Sequence, residues 1–307
     1  MSAMNDREHN LATAEPARQA ASEPSRPAAG LTVPFLPPLG ALTLGAMAVC
    51  VASGVVLFTG FEPANPLAST LAFETGRPFG WFVRSLHAWS AQLSLLALLA
   101  HTADHVVRKS DRNSPAATWG ALVASLPTTL YLMLGGRAMP GDAEANGVAS
   151  VMYGILAHVP GVGPAAASWL VGGQGGGDVH VLTAHHVATA TLTLALIIVF
   201  HIRKLAPDSI SAATALGLSG IVALFARPVL VYLPVGGKLH GPWYMGGLRL
   251  MLGYVPVWAA GLMFPAVVLA VLTVLPLATP KRAAVMRWTL AVVFVVTLLL
   301  TIAAVRA

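Results

Sequence analysis

The chain has 307 residues, 56% of them hydrophobic and only 10% charged, with a mean hydropathy of +0.73. That profile excludes an ordinary soluble domain and points to a polytopic membrane protein. The net charge of +6 does not by itself exclude a polyanionic partner, but the single cysteine, Cys50, does exclude an intrachain disulfide framework.

Residues 1–32 are rich in Ala, Pro, Glu and Arg and have too little apolar surface to offset the entropy of ordering, so a disordered tail is expected there. No charged region followed by a short apolar core opens the chain, and a cleaved signal peptide is not expected. Apolar runs then recur near 36–60, 86–107, 116–136, 183–202, 210–233, 251–278 and 285–305. Each approaches or exceeds the ~20 residues that a helix needs to cross the hydrocarbon. The expected fold is therefore all-α, a polytopic membrane bundle of about seven transmembrane helices. Pro127 should kink the third span.

Counted over seven spans with the amino terminus inside, eleven Lys and Arg fall in inner segments and seven in outer ones. This asymmetry follows the positive-inside rule, so the basic pI reflects topology and no nucleic-acid partner is expected. It places the amino terminus in the cytoplasm and the carboxyl terminus outside. The acidic residues stop at Asp208.

The second and fourth runs carry histidines near both ends. His87 and His101 lie fourteen positions apart within RSLHAWSAQLSLLALLAHTADHVV (84–107). That is close to four whole turns, so they share one helix face roughly 21 Å apart along the axis. His186 and His201 lie fifteen apart in LTAHHVATATLTLALIIVFHIRKL (182–205). The two helices run in opposite directions, which sets His87 level with His186 on the outer side and His101 level with His201 on the inner side. Paired imidazoles in a helix bundle, with no thiolate or carboxylate at that depth, fit the axial ligation of haem, and two level pairs imply two haem b groups. Zinc fits poorly because it gathers four ligands at one point. Gly40 and Gly54 repeat the fourteen-residue interval in the first run, and Gly120 with Gly135 and Gly136 are similarly spaced in the third. Such glycines are expected where a flat macrocycle approaches helix backbone at two depths. Arg84, one turn before His87, is a candidate partner for a haem propionate, while its position equally suits a snorkelling interfacial arginine.

The run GRPFGWFVRSLHAW (76–89), with its Gly80, Trp81, Arg84 and His87, resembles the signature of the cytochrome b family, the membrane subunit of quinol:cytochrome c reductases and of the photosynthetic plastoquinol-oxidising complex. The likeness continues through ASGVVLFTGFEPANP (52–66), Thr118–Trp119, ILAHVPGVG (155–163) and HIRKL (201–205). The interval of fifteen is similar to the photosynthetic branch. The resemblance implies that 33–206 form a dihaem four-helix bundle. It also implies that 207–307, three further spans, correspond to the small subunit that follows cytochrome b in that branch, here fused to it. It assigns a low-potential haem to His87 and His186 and a high-potential haem to His101 and His201. His186 is preferred to the adjacent His185 because it restores the family interval. His105 and His158 match no ligand position and are read as loop or interfacial residues.

The departures from the family pattern concern the quinone sites. The family's Pro-Glu-Trp-Tyr motif, whose glutamate takes a proton from quinol, is HGPWY here, with Gly241 and Pro242 before Trp243 and Tyr244. The Pro-Trp-Asp motif reads MPGDAEA, keeping Pro140 and Asp142 but losing the tryptophan. Val181 stands in place of an arginine that anchors a propionate, and Pro38 in place of the cysteine that holds an extra haem in the photosynthetic branch. Cys50 is read as a small buried hydrophobe. His240, Asp142 and Glu144 are the candidate substitutes for the missing outer base, with Trp243 and Tyr244 as walls of a quinone pocket. Asp208, with Arg203 and Lys204, is a candidate inner protonating cluster or else a solvated cap of the fourth helix.

The function expected on these grounds is that of a quinol-linked oxidoreductase subunit. It would carry electrons across an energy-transducing membrane between a quinone and a Rieske protein or c-type cytochrome, as a homodimer within a complex. One alternative is a non-bifurcating quinol dehydrogenase or quinone reductase that anchors a multihaem cytochrome c. The altered outer motif then means a degenerate site, unless His240 rescues it. A flavin-dependent transmembrane reductase is disfavoured because no glycine-rich nucleotide loop follows a strand. A non-redox transporter or assembly anchor is the reading of another class, and lack of a Soret band would favour it.

Overall fold

The computed structural model describes residues 37–173, 177–201, 209–232 and 241–306, with backbone alone over 194–201. The tail at 1–32, Asp208 and His240 lie outside the described residues. Among the described residues there are eleven α-helices and no strand. They are α1 (Leu39–Phe58), α2 (Pro66–Gly76), α3 (Gly80–Val107), α4 (Ala116–Ala138), α5 (Ala143–Ala157), α6 (Gly163–Val171), α7 (Val179–His201), α8 (Ser209–Phe225), α9 (Gly246–Leu252), α10 (Phe264–Val274) and α11 (Pro280–Arg306). All seven apolar runs hold a helix, so the protein is an all-α, multi-pass membrane bundle. Four helical stretches, α1, α4, Trp258–Leu277 and α11, are each long and apolar enough to cross a membrane by themselves.

Local chemistry sets the boundaries. Pro38 and Pro115 precede α1 and α4 at positions where a missing N–H costs nothing. α4 continues through Pro127 as one helix. Gly80 opens α3 directly against α2: a Cβ at that position would overlap the Phe73 carbonyl oxygen, at 1.9 Å. Asp142 caps α5 by accepting a hydrogen bond from the Ala145 N–H at 2.8 Å.

Two spans differ from the expected limits. The fifth was expected to reach residue 233 but its helix ends at Phe225. Pro228 cannot continue it, and the residues that follow satisfy their backbone by other means. Trp89 Nε1 donates to the Ala226 carbonyl at 2.6 Å, Arg84 Nη1 to the Pro228 carbonyl at 3.0 Å, and Val231 N–H to Asp142 Oδ2 at 2.8 Å. The sixth begins at Trp258, because Gly253 and Pro256 break the run after the short α9. Its first six residues, Trp258–Met263, form a π-turn ahead of Pro265, which lacks the N–H needed for regular helical bonding. His105, expected in a loop or at the interface, lies in the last turn of α3, edge-on to His101 with ring centroids 4.4 Å apart.

α1 packs on α3, α3 on α4, and α4 on α7, while α8 packs against both α1 and α3. At the α1–α8 crossing, a Cβ on Gly45 would lie 2.6 Å from the Ser211 carbonyl oxygen, so the backbones touch. Trp119 is buried between α4 and α10, where its Nε1 donates to the Leu272 carbonyl at 2.8 Å. Arg287 of α11 donates to the Val106 carbonyl at 3.0 Å and to Asp111 Oδ1 at 2.6 Å, joining the last helix to the end of α3.

Candidate functional site

The four-helix core brings His87 of α3 and His186 of α7 opposite one another. Their ring centroids are 6.4 Å apart with planes inclined at 68°. An imidazole nitrogen stands about 2 Å from a metal, so two rings sharing one metal have centroids roughly 6 Å apart. The observed pair has that spacing. Each ring is backed by a glycine of the opposite helix. A Cβ on Gly54 of α1 would lie 2.9 Å from His87 Cε1, and one on Gly136 of α4 would lie 2.9 Å from His186 Cε1.

The hydrogen bonding fits ligand duty as well. His87 Nδ1 donates to the Cys50 carbonyl at 2.8 Å, which fixes the tautomer and leaves Nε2 with its lone pair available. The Cys50 side chain, read from sequence as a small buried hydrophobe, is also in contact, with Sγ 3.5 Å from the same nitrogen. His186 Nδ1 is buried without a well-formed hydrogen bond, although the Leu132 backbone stands beside it. Such an orphan is costly in a finished core and is expected where a bound group completes the site. His185, its neighbour, is instead engaged edge-on with Trp169 of α6 at 4.5 Å between centroids.

At the other end of α3, His101 faces α1, where a Cβ on Gly40 would lie 3.0 Å from its Cε1. Nothing comes within 4 Å of the corresponding point on Gly120 among the described residues, and the side chain of His201 lies outside them. Arg84 does not stand free at its end of α3. Its Nη1 bonds Glu74 of α2 as well as the Pro228 carbonyl, so a propionate there would share or displace those partners.

Beside the His87–His186 end lies a second constellation. Asp142 is wholly buried and both its oxygens are engaged: Arg137 Nη1 donates to Oδ1 at 2.8 Å and Nη2 to Oδ2 at 3.1 Å, in addition to the Ala145 and Val231 amides. Burial alone would raise its pKa, but Arg137 and the two amides outweigh it and hold the carboxyl below its ordinary range. The same Arg137 Nη2 donates to Glu144 Oε2 at 2.7 Å. Tyr244 donates its hydroxyl to the Met133 carbonyl of α4 at 3.3 Å, and burial pushes its pKa up, so it acts as a neutral donor. Trp243 Nε1 donates to Gln92 Oε1 of α3 at 2.6 Å. The tryptophan missing between Pro140 and Asp142 has a steric explanation. Gly141 has φ +69°, and a Cβ there would lie 2.8 Å from Pro66 Cγ.

Residues 30–207, more than half of the chain, match the family described as Cytochrome b/b6/petB. The chain belongs to the cytochrome b family. Cytochrome b6 of Tupiella akineta is 27% identical over 162 residues, covering 52% of this chain and 75% of that one. Cytochrome b6 of Chlamydomonas reinhardtii is 26% identical over 192 residues, covering 59% and 89%. The fold is similar to that of a solved chain titled Hyperthermophilic respiratory Complex III, with a TM-score of 0.66 and 19% identity over 98% of this chain and 91% of that one. As a cytochrome b, the protein is a membrane electron-transfer subunit of oxidoreductase type that binds haem b. The buried orphan nitrogen and the glycine-backed imidazoles fit that group.

Proposed function

We propose that this cytochrome b holds two haem b groups, one between His87 and His186 and one between His101 and His201, and passes electrons across an energy-transducing membrane. The single observation that carries the proposal is the pair of glycine-backed imidazoles 6.4 Å apart. Haem b supplies a reversible one-electron couple when bound. The chain's own residues do the rest. Gly54 and Gly136 keep side chains away from the imidazoles, and the Cys50 carbonyl orients His87. Residues 33–206 form the dihaem part and 207–307 a second part carrying Trp243 and Tyr244. The substrate is a quinone or quinol, with Tyr244 and Asp142 shaping the outer site and Asp208 and His240 at the two surfaces. Its redox partner is a c-type cytochrome or a Rieske protein, within a multi-subunit complex that includes a second copy of this chain. The amino terminus is cytoplasmic.

Haem quantitation on the purified protein, with redox-difference spectra and low-temperature electron paramagnetic resonance, tests this. Two low-spin haems per chain are expected, and His101→Ala should remove one while leaving some of the other. One haem per chain in fully loaded wild type would sink the proposal.

A specific observation also favours a non-bifurcating quinol dehydrogenase anchor: Pro242 stands where the family resemblance calls for a proton-accepting glutamate. Oxidant-induced reduction of haem b in the presence of an inner-site inhibitor marks bifurcation, and its clear appearance would dismiss this second reading.

A further inference from the structure

The wall formed by residues 241–252 contains no acid, since none follows Asp208 in the sequence. It faces α5 across a cavity of about 220 Å³, open on one side and lined mainly by apolar groups, among them Val148, Gly241, Met245, Leu248 and Leu252. The carboxylate on that lining is Glu144. Its Oε2 is bonded to Arg137, and no other donor reaches its carboxylate among the described residues. Asp142 is different, because four hydrogen bonds occupy its two oxygens and keep it ionised. Arg137 therefore offers one positive charge to two carboxylates. Glu144, with the fewer hydrogen bonds of the two, is the one positioned at the cavity and has a partly exposed side chain.

We infer that Glu144 accepts the first proton from a hydroquinone held in this cavity, a role that rests on the quinol reading above. The quinol O–H bond breaks and an O–H bond forms on a Glu144 oxygen, leaving a hydroquinone monoanion and a neutral carboxyl, and no electron moves in this step. Arg137 keeps its two bonds to Asp142 when Glu144 is protonated. Arg249, which also lines the cavity while donating to the Ala304 carbonyl at 2.8 Å, holds the anion that remains. The cavity has room for a single-ring head group, with any isoprenoid tail leaving through the open side. The base is supplied by α5 in a chain whose HGPWY stretch has none, and the proton leaves to water through the exposed edge of the Glu144 side chain.

The test uses the full chain in its membrane complex. Glu144→Gln, which retains a hydrogen bond to Arg137, should reduce the rate of haem b reduction by a short-tailed hydroquinone at least tenfold, in line with the loss of a general base, while reduction by dithionite and haem content stay at wild-type level. In the wild type, a hydrophobic carbodiimide should modify Glu144, and a quinone analogue should protect it, as read by peptide mass spectrometry. A wild-type rate in Glu144→Gln overturns the inference, as does carbodiimide labelling of Glu144 that the analogue does not diminish. Loss of rate in His240→Ala alone moves the role to His240. Failure of hydroquinone to reduce the wild type, with dithionite effective, overturns the quinol reading itself and is distinguishable from these outcomes.

Discussion

Gly54 and Gly136 leave no room for a side chain, since a Cβ at either position would lie 2.9 Å from an imidazole carbon. Gly54→Val and Gly136→Val should each cost the haem proposed at His87 and His186 while leaving the helical circular dichroism intact, and a full complement of haem in either variant would contradict the assignment. His186→Ala should have the same effect, whereas His185→Ala should retain both haems and lose only its edge contact with Trp169, worth about 0.5–1.5 kcal/mol. Asp142 bears on acid stability. Its pKa is lowered from an ordinary value near 3.8, so its contribution is complete above that value and disappears as pH falls through the lower folded value. Asp142→Asn should therefore destabilise the protein at neutral pH by an amount toward the low end of the about 3–5 kcal/mol expected for a broken buried pair. The gap from wild type should narrow below about pH 4 in thermal melts. The histidine intervals and the paired glycines were legible in sequence because they repeat along single helices. The clamp of Arg137 on Asp142 and Glu144 was not, because it depends on how a loop folds back. Nor was the Cys50 carbonyl, a backbone group that any residue would offer.

Among the helices, the long ones were readable from their apolar runs, but α2, α5, α6 and α9 were not. They are short, and residues such as Asn65, Asp142 and Gly172 that start or end them look the same as ordinary loop residues. The end of α8 was overestimated because the residues after Phe225 remain apolar while their backbone bonds move to Trp89, Arg84 and Asp142. α11 shows a further limit, since the buried pair of Arg287 with Asp111 that ties it to the end of α3 joins residues 176 positions apart. Asp111→Asn leaves that arginine without its counter-charge in an apolar setting and should destabilise the protein by about 3–5 kcal/mol. Trp119→Phe, which removes the bond to Leu272 and leaves a small cavity but no unpaired charge, should cost less, about 1–3 kcal/mol. Thermal unfolding in detergent followed by circular dichroism ranks the two, and equal shifts would refute the distinction.

For the molecule as a whole, seven apolar runs predict an odd number of crossings, and the uneven Lys and Arg distribution then predicts a cytoplasmic amino terminus. Reporter fusions to the two ends should show opposite sidedness, and matching sidedness would refute it. The outward faces of α8 and α11 carry exposed Leu, Val, Ile and Phe, as lipid contact requires. The crossing at Gly45 and Ser211 matters at this scale too. It lies between the proposed dihaem part and the proposed second part, and Trp89, Arg84 and Asp142 bond across the same seam. The union of the two parts is thus written in surface complementarity as much as in the peptide linkage. Two fragments of the gene product, divided between His201 and Ser209 and made together in one cell, should find each other and purify as a pair. Gly45→Leu should separate such a pair while only weakening the intact chain, so the fusion would act as insurance for a contact that can stand without it.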